Sequence, residues 1–344
     1  MRSMVLTGIR QMEMREVPDP KISNETDVLI KMSIIGVCGS DVHYFVSGKI
    51  GNQVVQYPFP VGHEGAGVVE GIGKGVRNVK VGDRVAIEPA MSCWQCDQCK
   101  IGRHHTCRKL RFLGCPRQAD GCLSEYIVMP ESSCFKIKDS MTMDQAALSE
   151  PLAIGVYAVR QSILMKGAKI GILGAGPIGR CVMLPARAEG AEKIYVTDKI
   201  DRRLEEAARY GADWGGNPDK EDVVGGILEQ EPRGLDVVFE CCGQQEALDQ
   251  SISMLKPGGK LMVIGIPAVN RISFSIDDIR HNETFIVNVR RQCDCVQPSL
   301  DMIDSKRIDV DPLVTHHFSF NDTKEAFDLV AGYKEGVVKA MIQF

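Results

Sequence analysis

Apolar residues follow two different patterns along this chain. Up to about residue 148 they come in short runs between glycines: Asp27-Val28-Leu29-Ile30-Lys31-Met32, Gly67-Val68-Val69-Glu70 and Gly82-Asp83-Arg84-Val85-Ala86-Ile87. Short strands bounded by turn residues predict a small antiparallel β-barrel. At Glu150-Pro151 the pattern changes. Residues 151–165 have helical spacing, and strands and helices then take turns: strands at 169–173, 193–197, 236–239, 260–264 and 285–287, helices at 177–189, 201–210 and 244–255. Such alternation predicts a parallel sheet with helices on both faces. The last 50 or so residues break the alternation and are read as returning to the first domain. The expectation is an α/β chain with a discontinuous barrel domain, 1–152 and 291–344, and a doubly wound domain at 153–290.

A length of 344 residues fits two domains better than one core. The net charge of −4 argues against nucleic acid or an anionic membrane as a partner and leaves a small-molecule substrate open. No run of about 18 apolar residues predicts a transmembrane helix, and the first residues hold no long apolar stretch of a leader type. The expected location is the cytoplasm. Thirteen cysteines in such a chain read as thiols rather than disulfides, and clustered thiols point to metal.

Gly174-Ala175-Gly176-Pro177-Ile178-Gly179 follows a predicted strand and opens a predicted helix. That context makes it a dinucleotide-binding turn: the glycines admit a tight bend and a pyrophosphate, and the helix N-terminus offers free N–H groups. Asp198 ends the next strand, where an acidic side chain accepts hydrogen bonds from ribose hydroxyls and repels a 2′-phosphate. NAD is therefore expected rather than NADP. Arg203, beside Arg202, is a further candidate contact to the cofactor, although a basic residue here also suits a 2′-phosphate.

Cys93-x-x-Cys96-x-x-Cys99 is followed by Cys107. Four thiolates at this spacing suit a tetrahedral zinc with no open position, so a structural one. His104 and His105 lie in the same loop and leave a Cys3His set as an alternative. Cys38, His63, Glu64 and Glu150 are scattered, and spacing alone does not join them.

A resemblance does. Gly62 to Val76, with glycines at 62, 67 and 73, resembles the signature of the zinc-containing medium-chain alcohol dehydrogenases. The Cys93–Cys107 lobe and the glycine turn with Asp198 fit the same family. Cys38-Gly-Ser-Asp-Val-His-Tyr44, Ile50-Gly51-Asn52, Gly82-Asp-Arg-Val-Ala-Ile-Glu-Pro89, Glu150-Pro-Leu and Pro312-Leu-Val-Thr-His316 are similar to its sorbitol/xylitol (polyol) branch. The resemblance covers nearly the whole chain. It implies a GroES-like catalytic domain, a Rossmann cofactor domain and a homotetramer. It also implies a catalytic zinc on Cys38, His63 and Glu64, with Glu150 as a neighbouring or alternating ligand. Asp41 would then orient His63.

On that basis the expected reaction is hydride transfer from a secondary hydroxyl of a polyol to NAD, giving a ketose. Ser40 and His43 are candidates for a proton path, and Tyr44 and Arg291 for substrate contacts. Arg290 and Gln292 stand where the polyol branch has aromatic residues. Because strand neighbours face opposite sides, at most one of Arg290 and Arg291 is expected to reach a pocket. An arginine there also suits an anionic substrate, an aldonate or polyol phosphate. The competing readings are that acidic-substrate dehydrogenase, a threonine dehydrogenase, and a non-catalytic NAD-binding relative. The last need not keep Cys38, His63, Glu64 and Glu150 together, as this chain does.

Overall fold

Strand Asp27–Gly36 organises the first part of the molecule. It pairs antiparallel with Glu64–Ile72 on one side, and with Tyr126–Pro130 and then Lys339–Gln343 on the other. With partners along both edges it is buried at most positions, which suits its run of Val, Leu, Ile and Met. Arg84–Ile87 and Cys134–Lys136 extend the sheet beyond Glu64–Ile72. Val314–Ser319 extends it past Lys339–Gln343, the one parallel pair in this sheet. Leu6, Ile30, Phe45, Val61, Val85, Met129, Phe327 and Ile342 meet in its core. The computed structural model describes all of residues 1–344. This sheet belongs to a compact unit of Met1–Glu150 and Val296–Phe344, and Pro151–Cys295 form a second unit.

The second unit is a six-stranded parallel sheet. Its spatial order is Trp214–Gly216, Lys193–Thr197, Lys169–Leu173, Leu235–Glu240, Leu255–Val263, Phe285–Asn288. Numbered along the chain this is the order 3-2-1-4-5-6, which reverses direction between Lys169–Leu173 and Leu235–Glu240. Lys169–Leu173 and Leu235–Glu240 are buried almost throughout, as strands covered on both faces must be.

Three elements differ from the sequence reading. The helix expected at 151–165 spans Met143–Gln161. Its start is a reciprocal cap: Thr142 Oγ1 accepts the Gln145 N–H at 3.1 Å, and Gln145 Oε1 accepts the Thr142 N–H at 3.1 Å. Pro151 reads as a first-turn residue but sits inside the helix, where it withholds one donor and crowds the carbonyl four residues before it. Trp214–Gly216 is a short edge strand with two glycines, and Val223–Gln230 is a helix containing Gly225 and Gly226. Glycine weakens both local signals, and packing overrides it: the Trp214 ring lies over Gly226. No helix is long and apolar enough to cross a membrane.

Candidate functional site

Register builds the first constellation. Gly36 pairs with Glu64 across the two central strands, so Cys38 and His63 leave the ladder side by side just beyond it. Gly36 also pairs with Met341, and the Val37 N–H donates to the Ala340 carbonyl, which brings Lys339 to the same end. Metal-binding atoms of Cys38, His63 and Glu64 all lie within 4.8 Å of one another. Glu150 is buried on its helix but is not a member of this set. Cys38 stands directly before helix Gly39–Ser47, which carries Ser40, Asp41, His43 and Tyr44.

Each member has a partner that fixes it. His63 Nδ1 donates to Asp41 Oδ1 at 3.3 Å, and the same oxygen accepts the Gly62 N–H at 3.1 Å. Asp41 is completely buried and His63 nearly so. Burial pushes the His63 imidazole down, but the Asp41 carboxylate and the Cys38 sulfur outweigh it and hold the ring well above its ordinary range. Ser40 Oγ donates to Cys38 Sγ at 3.3 Å, and burial lowers the half-buried His43. Ser40 and His43 are three apart and so share one helix face. Glu64 receives Lys339 Nζ on both oxygens, at 2.8 and 2.6 Å, and both side chains are buried. A Cβ at position 36 would overlap Glu64 Oε2, so only glycine leaves room for this carboxylate.

The donor set is chemically that of a cation site. A cysteine sulfur, an imidazole nitrogen and a carboxylate within 4.8 Å of one another are donors that a divalent ion accepts, and three such donors leave room for a fourth partner. Beyond His63 the wall continues through Phe112, whose ring centroid lies 5.3 Å from the imidazole. Tyr44 is buried. Its hydroxyl donates to Gln53 Oε1 at 2.9 Å and lies 4.0 Å from Cys115 Sγ.

The second constellation is the loop of Cys93, Cys96, Cys99 and Cys107, whose sulfurs all lie within 4.8 Å of one another. Backbone N–H groups of Cys93 and Lys109 point at Cys107 Sγ, each at 3.3 Å. Backbone donors, Arg108 first, pull Cys96 down to about 6, while burial and the neighbouring thiols push Cys99 up to about 12. Four sulfurs this close cannot all ionise without a cation, and with one they form a closed tetrahedral set. Arg108 clasps Asp97 through two bonds, Nε at 2.6 Å and Nη2 at 2.8 Å, which ties the loop together. Neither His104 nor His105 belongs to the set; His104 lies against Trp94, with ring centroids 4.8 Å apart and planes tilted by 38°.

The third lies in the second unit. Gly174 ends strand Lys169–Leu173 with φ at +103°, and Gly176 caps helix Pro177–Ala188, which Pro177 and Ile178 open. A Cβ on Gly179 would collide with the Gly174 carbonyl oxygen. Asp198 follows strand Lys193–Thr197; its carboxylate accepts the Ala175 N–H and the Ile200 N–H, both at 2.8 Å. Arg203 Nη1 lies 4.0 Å from Asp198. Arg180, a buried residue the sequence reading passed over, braces this corner: Nε donates to the Ala175 carbonyl at 3.1 Å and Nη2 to Glu206 at 2.7 Å.

The arginine pair lies beyond the last strand of the sheet. The strand ends at Asn288, so strict alternation does not govern residues 290 and 291. Arg290 is exposed, Arg291 is half-buried at φ +53°, and Gln292 is buried with its Oε1 accepting the Cys295 N–H at 2.8 Å. Lys339 was also missed. Its signal is a lone lysine inside the apolar run Val337-Val338-Lys339-Ala340-Met341-Ile342.

Residues 24–139 match the family of the alcohol dehydrogenase GroES-like domain, and residues 177–305 the zinc-binding dehydrogenase family. A sorbitol dehydrogenase of Bacillus subtilis is 36% identical over 343 residues, 99% of this chain and 97% of that enzyme. An L-idonate 5-dehydrogenase of Vitis vinifera is 34% identical, over 95% of this chain and 90% of its own. Among solved structures, a dehydrogenase of unknown specificity from Escherichia coli superposes with a TM-score of 0.93 at 33% identity, covering 99% of this chain and 98% of its own.

Proposed function

Because this chain belongs to the zinc-binding alcohol dehydrogenase family with a GroES-like domain, we propose that it oxidises a secondary hydroxyl of a sorbitol- or xylitol-like polyol to the ketose, with NAD and zinc as cofactors. The observation that carries this reading is the convergence of Cys38, His63 and Glu64 within 4.8 Å, in a chain alike along its whole length to a sorbitol dehydrogenase. Zinc bound there would stabilise a deprotonated hydroxyl, and NAD would accept the hydride.

The chain's own residues do the rest. Cys38, His63 and Glu64 hold the catalytic metal, with Glu150 as the neighbouring carboxylate. Asp41 keeps His63 Nδ1 protonated, so that Nε2 stays free as a donor atom. Ser40 and His43, on one face of their helix, carry the hydroxyl proton away. Tyr44 and Arg291 contact the substrate. Cys93, Cys96, Cys99 and Cys107 hold a structural zinc. The turn Gly174–Gly179 receives the pyrophosphate, Asp198 the adenosine ribose, and Arg203 the neighbouring phosphate or ribose face. The first unit serves as the catalytic domain and the second as the NAD-binding domain.

The homotetramer and the cytoplasmic location belong to this proposal too. Edge strand Phe285–Asn288, with Phe285 54% exposed, offers unpaired backbone to a second copy. All thirteen cysteines are free of disulfides, as a reducing compartment keeps them. A second substrate reading is favoured by the half-buried Arg291 and by the likeness to an L-idonate dehydrogenase: an anionic aldonate or polyol phosphate. NADH formation over a panel of sorbitol, xylitol, galactitol, aldonates, phosphorylated polyols and threonine tests both. Turnover of the neutral polyols supports the main reading. Turnover confined to anionic members transfers it to the second, and turnover of none refutes both.

A further inference from the structure

Lys339 carries a charge into the interior that nothing in the proposed chemistry yet uses. Its side chain is 2% exposed and that of Glu64 1%. An ammonium has three donors. Here all three are taken: two by the Glu64 oxygens, at 2.8 and 2.6 Å, and one by the Val37 carbonyl at 3.3 Å. Burying a lysine is costly, and a lysine so enclosed must answer a fixed negative charge. Cys38, Asp41 and Glu64 provide three acidic groups around one small volume. A divalent ion neutralises two of them, and Lys339 the third.

The topology makes the arrangement depend on the chain's last strand. Segments 36–38 and 62–64 lie next to each other through the Gly36–Glu64 pair, and Lys339–Gln343 joins them from the other side through the Gly36–Met341 pair. Glu64 thus lies between the metal ligands and an ammonium supplied from 275 residues further along the sequence.

We propose that Lys339 is a positioning residue for the metal site: its ammonium holds the Glu64 carboxylate against Cys38 and His63, so that Glu64 serves as a metal donor only while Lys339 is in place. The inference rests on the proposed metal role of Cys38, His63 and Glu64. A structural role alone would alter folding stability without singling out one of two metal sites.

The test is zinc affinity, measured by competition with a chromogenic chelator, with the four-cysteine lobe as internal reference. The proteins are wild type, K339M, K339R, E64Q and the E64Q/K339M double variant, each checked for folding by circular dichroism. Wild type should bind two zinc ions per chain. K339M should bind the open-site ion roughly 10–100-fold more weakly, the usual effect of removing a partner that orients a ligand, with the lobe's ion unchanged. K339R should recover most of that affinity, and K339M should add nothing in the E64Q background. If K339M destabilises the fold, the double variant, in which no buried charge is left unpaired, still tests whether Lys339 acts through Glu64: a loss of open-site affinity beyond that of E64Q would overturn the inference. Two ions at wild-type affinity in K339M, or independent effects of K339M and E64Q, overturn the inference alone. One zinc per wild-type chain overturns the metal reading and the inference with it.

Discussion

At the scale of single residues, the site is a set of donors with fixed partners: His63 and Glu64 are held by the buried Asp41 and Lys339, and Cys38 by Ser40. Asp41 shows the logic most clearly: one oxygen binds both the His63 imidazole and the Gly62 N–H, which fixes ring and backbone together. Asp41→Asn should keep the volume and lose the charge, lowering open-site zinc affinity about 10–100-fold, as read by chelator competition. The raised His63 also sets a proton count. Its Asp41 and Cys38 neighbours favour the protonated form of the metal-free ring, and zinc competes with that proton. Calorimetry of zinc binding near pH 7, in buffers of different ionisation enthalpy, should therefore detect proton release, and H63A should lose that component. His63 and Glu64 were legible through the signature around Gly62, and Cys38 through the stretch Cys38–Tyr44. Lys339 was not, because its burial depends on a carboxylate 275 positions away, and no local pattern records that distance.

At the scale of elements, strand register does what spacing in the sequence cannot. The Gly36–Glu64 pair alone accounts for why residues 38 and 63 meet. A one-residue slip would turn every side chain of either strand to the other face. The strand–helix alternation was readable because buried parallel strands leave continuous apolar runs, as at Lys169–Leu173. The glycine-bearing strand Trp214–Gly216 and helix Val223–Gln230 were not, since packing rather than propensity holds them. The true start of helix Met143–Gln161 lay in plain sight as Thr142…Gln145, a capping pair overshadowed by the proline at 151. The cysteine lobe is a self-contained element. With Cys96 depressed to about 6, its thiolate is present above that pH and is lost as pH falls through it. In the metal-free lobe zinc must then displace the Cys96 proton as well, so the lobe's zinc affinity, measured by chelator competition, should fall more steeply with pH below about 6 than above it. Cys96→Ser should remove one zinc per chain and expose residues 93–107 to limited proteolysis.

At the scale of the whole molecule, a GroES-like unit offers the metal donors and a Rossmann unit offers the nucleotide turn. On the proposed function, Asp198 would set cofactor choice within the Rossmann unit: its carboxylate is aligned by the Ala175 and Ile200 N–H groups, and Arg203 lies beside it. Asp198→Ala should cut the preference for NAD over NADP by about 10-fold or more, as kcat/KM for the two cofactors, because it removes both an acceptor for ribose hydroxyls and a charge that repels phosphate. The proposed homotetramer predicts a solution mass four times the 37.8 kDa of one chain; pairing through the open edge at Phe285–Asn288 supplies one of the two interfaces it needs, so F285D should shift the population to smaller species in light scattering. The central claim is that one metal-dependent centre oxidises a neutral polyol. Its most direct test is the rate of NADH formation from sorbitol or xylitol by the protein as purified, after chelation, and after zinc is restored. Activity that chelation abolishes and zinc returns, and that is absent in H63A although H63A still binds NAD, is the predicted result. Polyol oxidation that survives complete removal of zinc would contradict it.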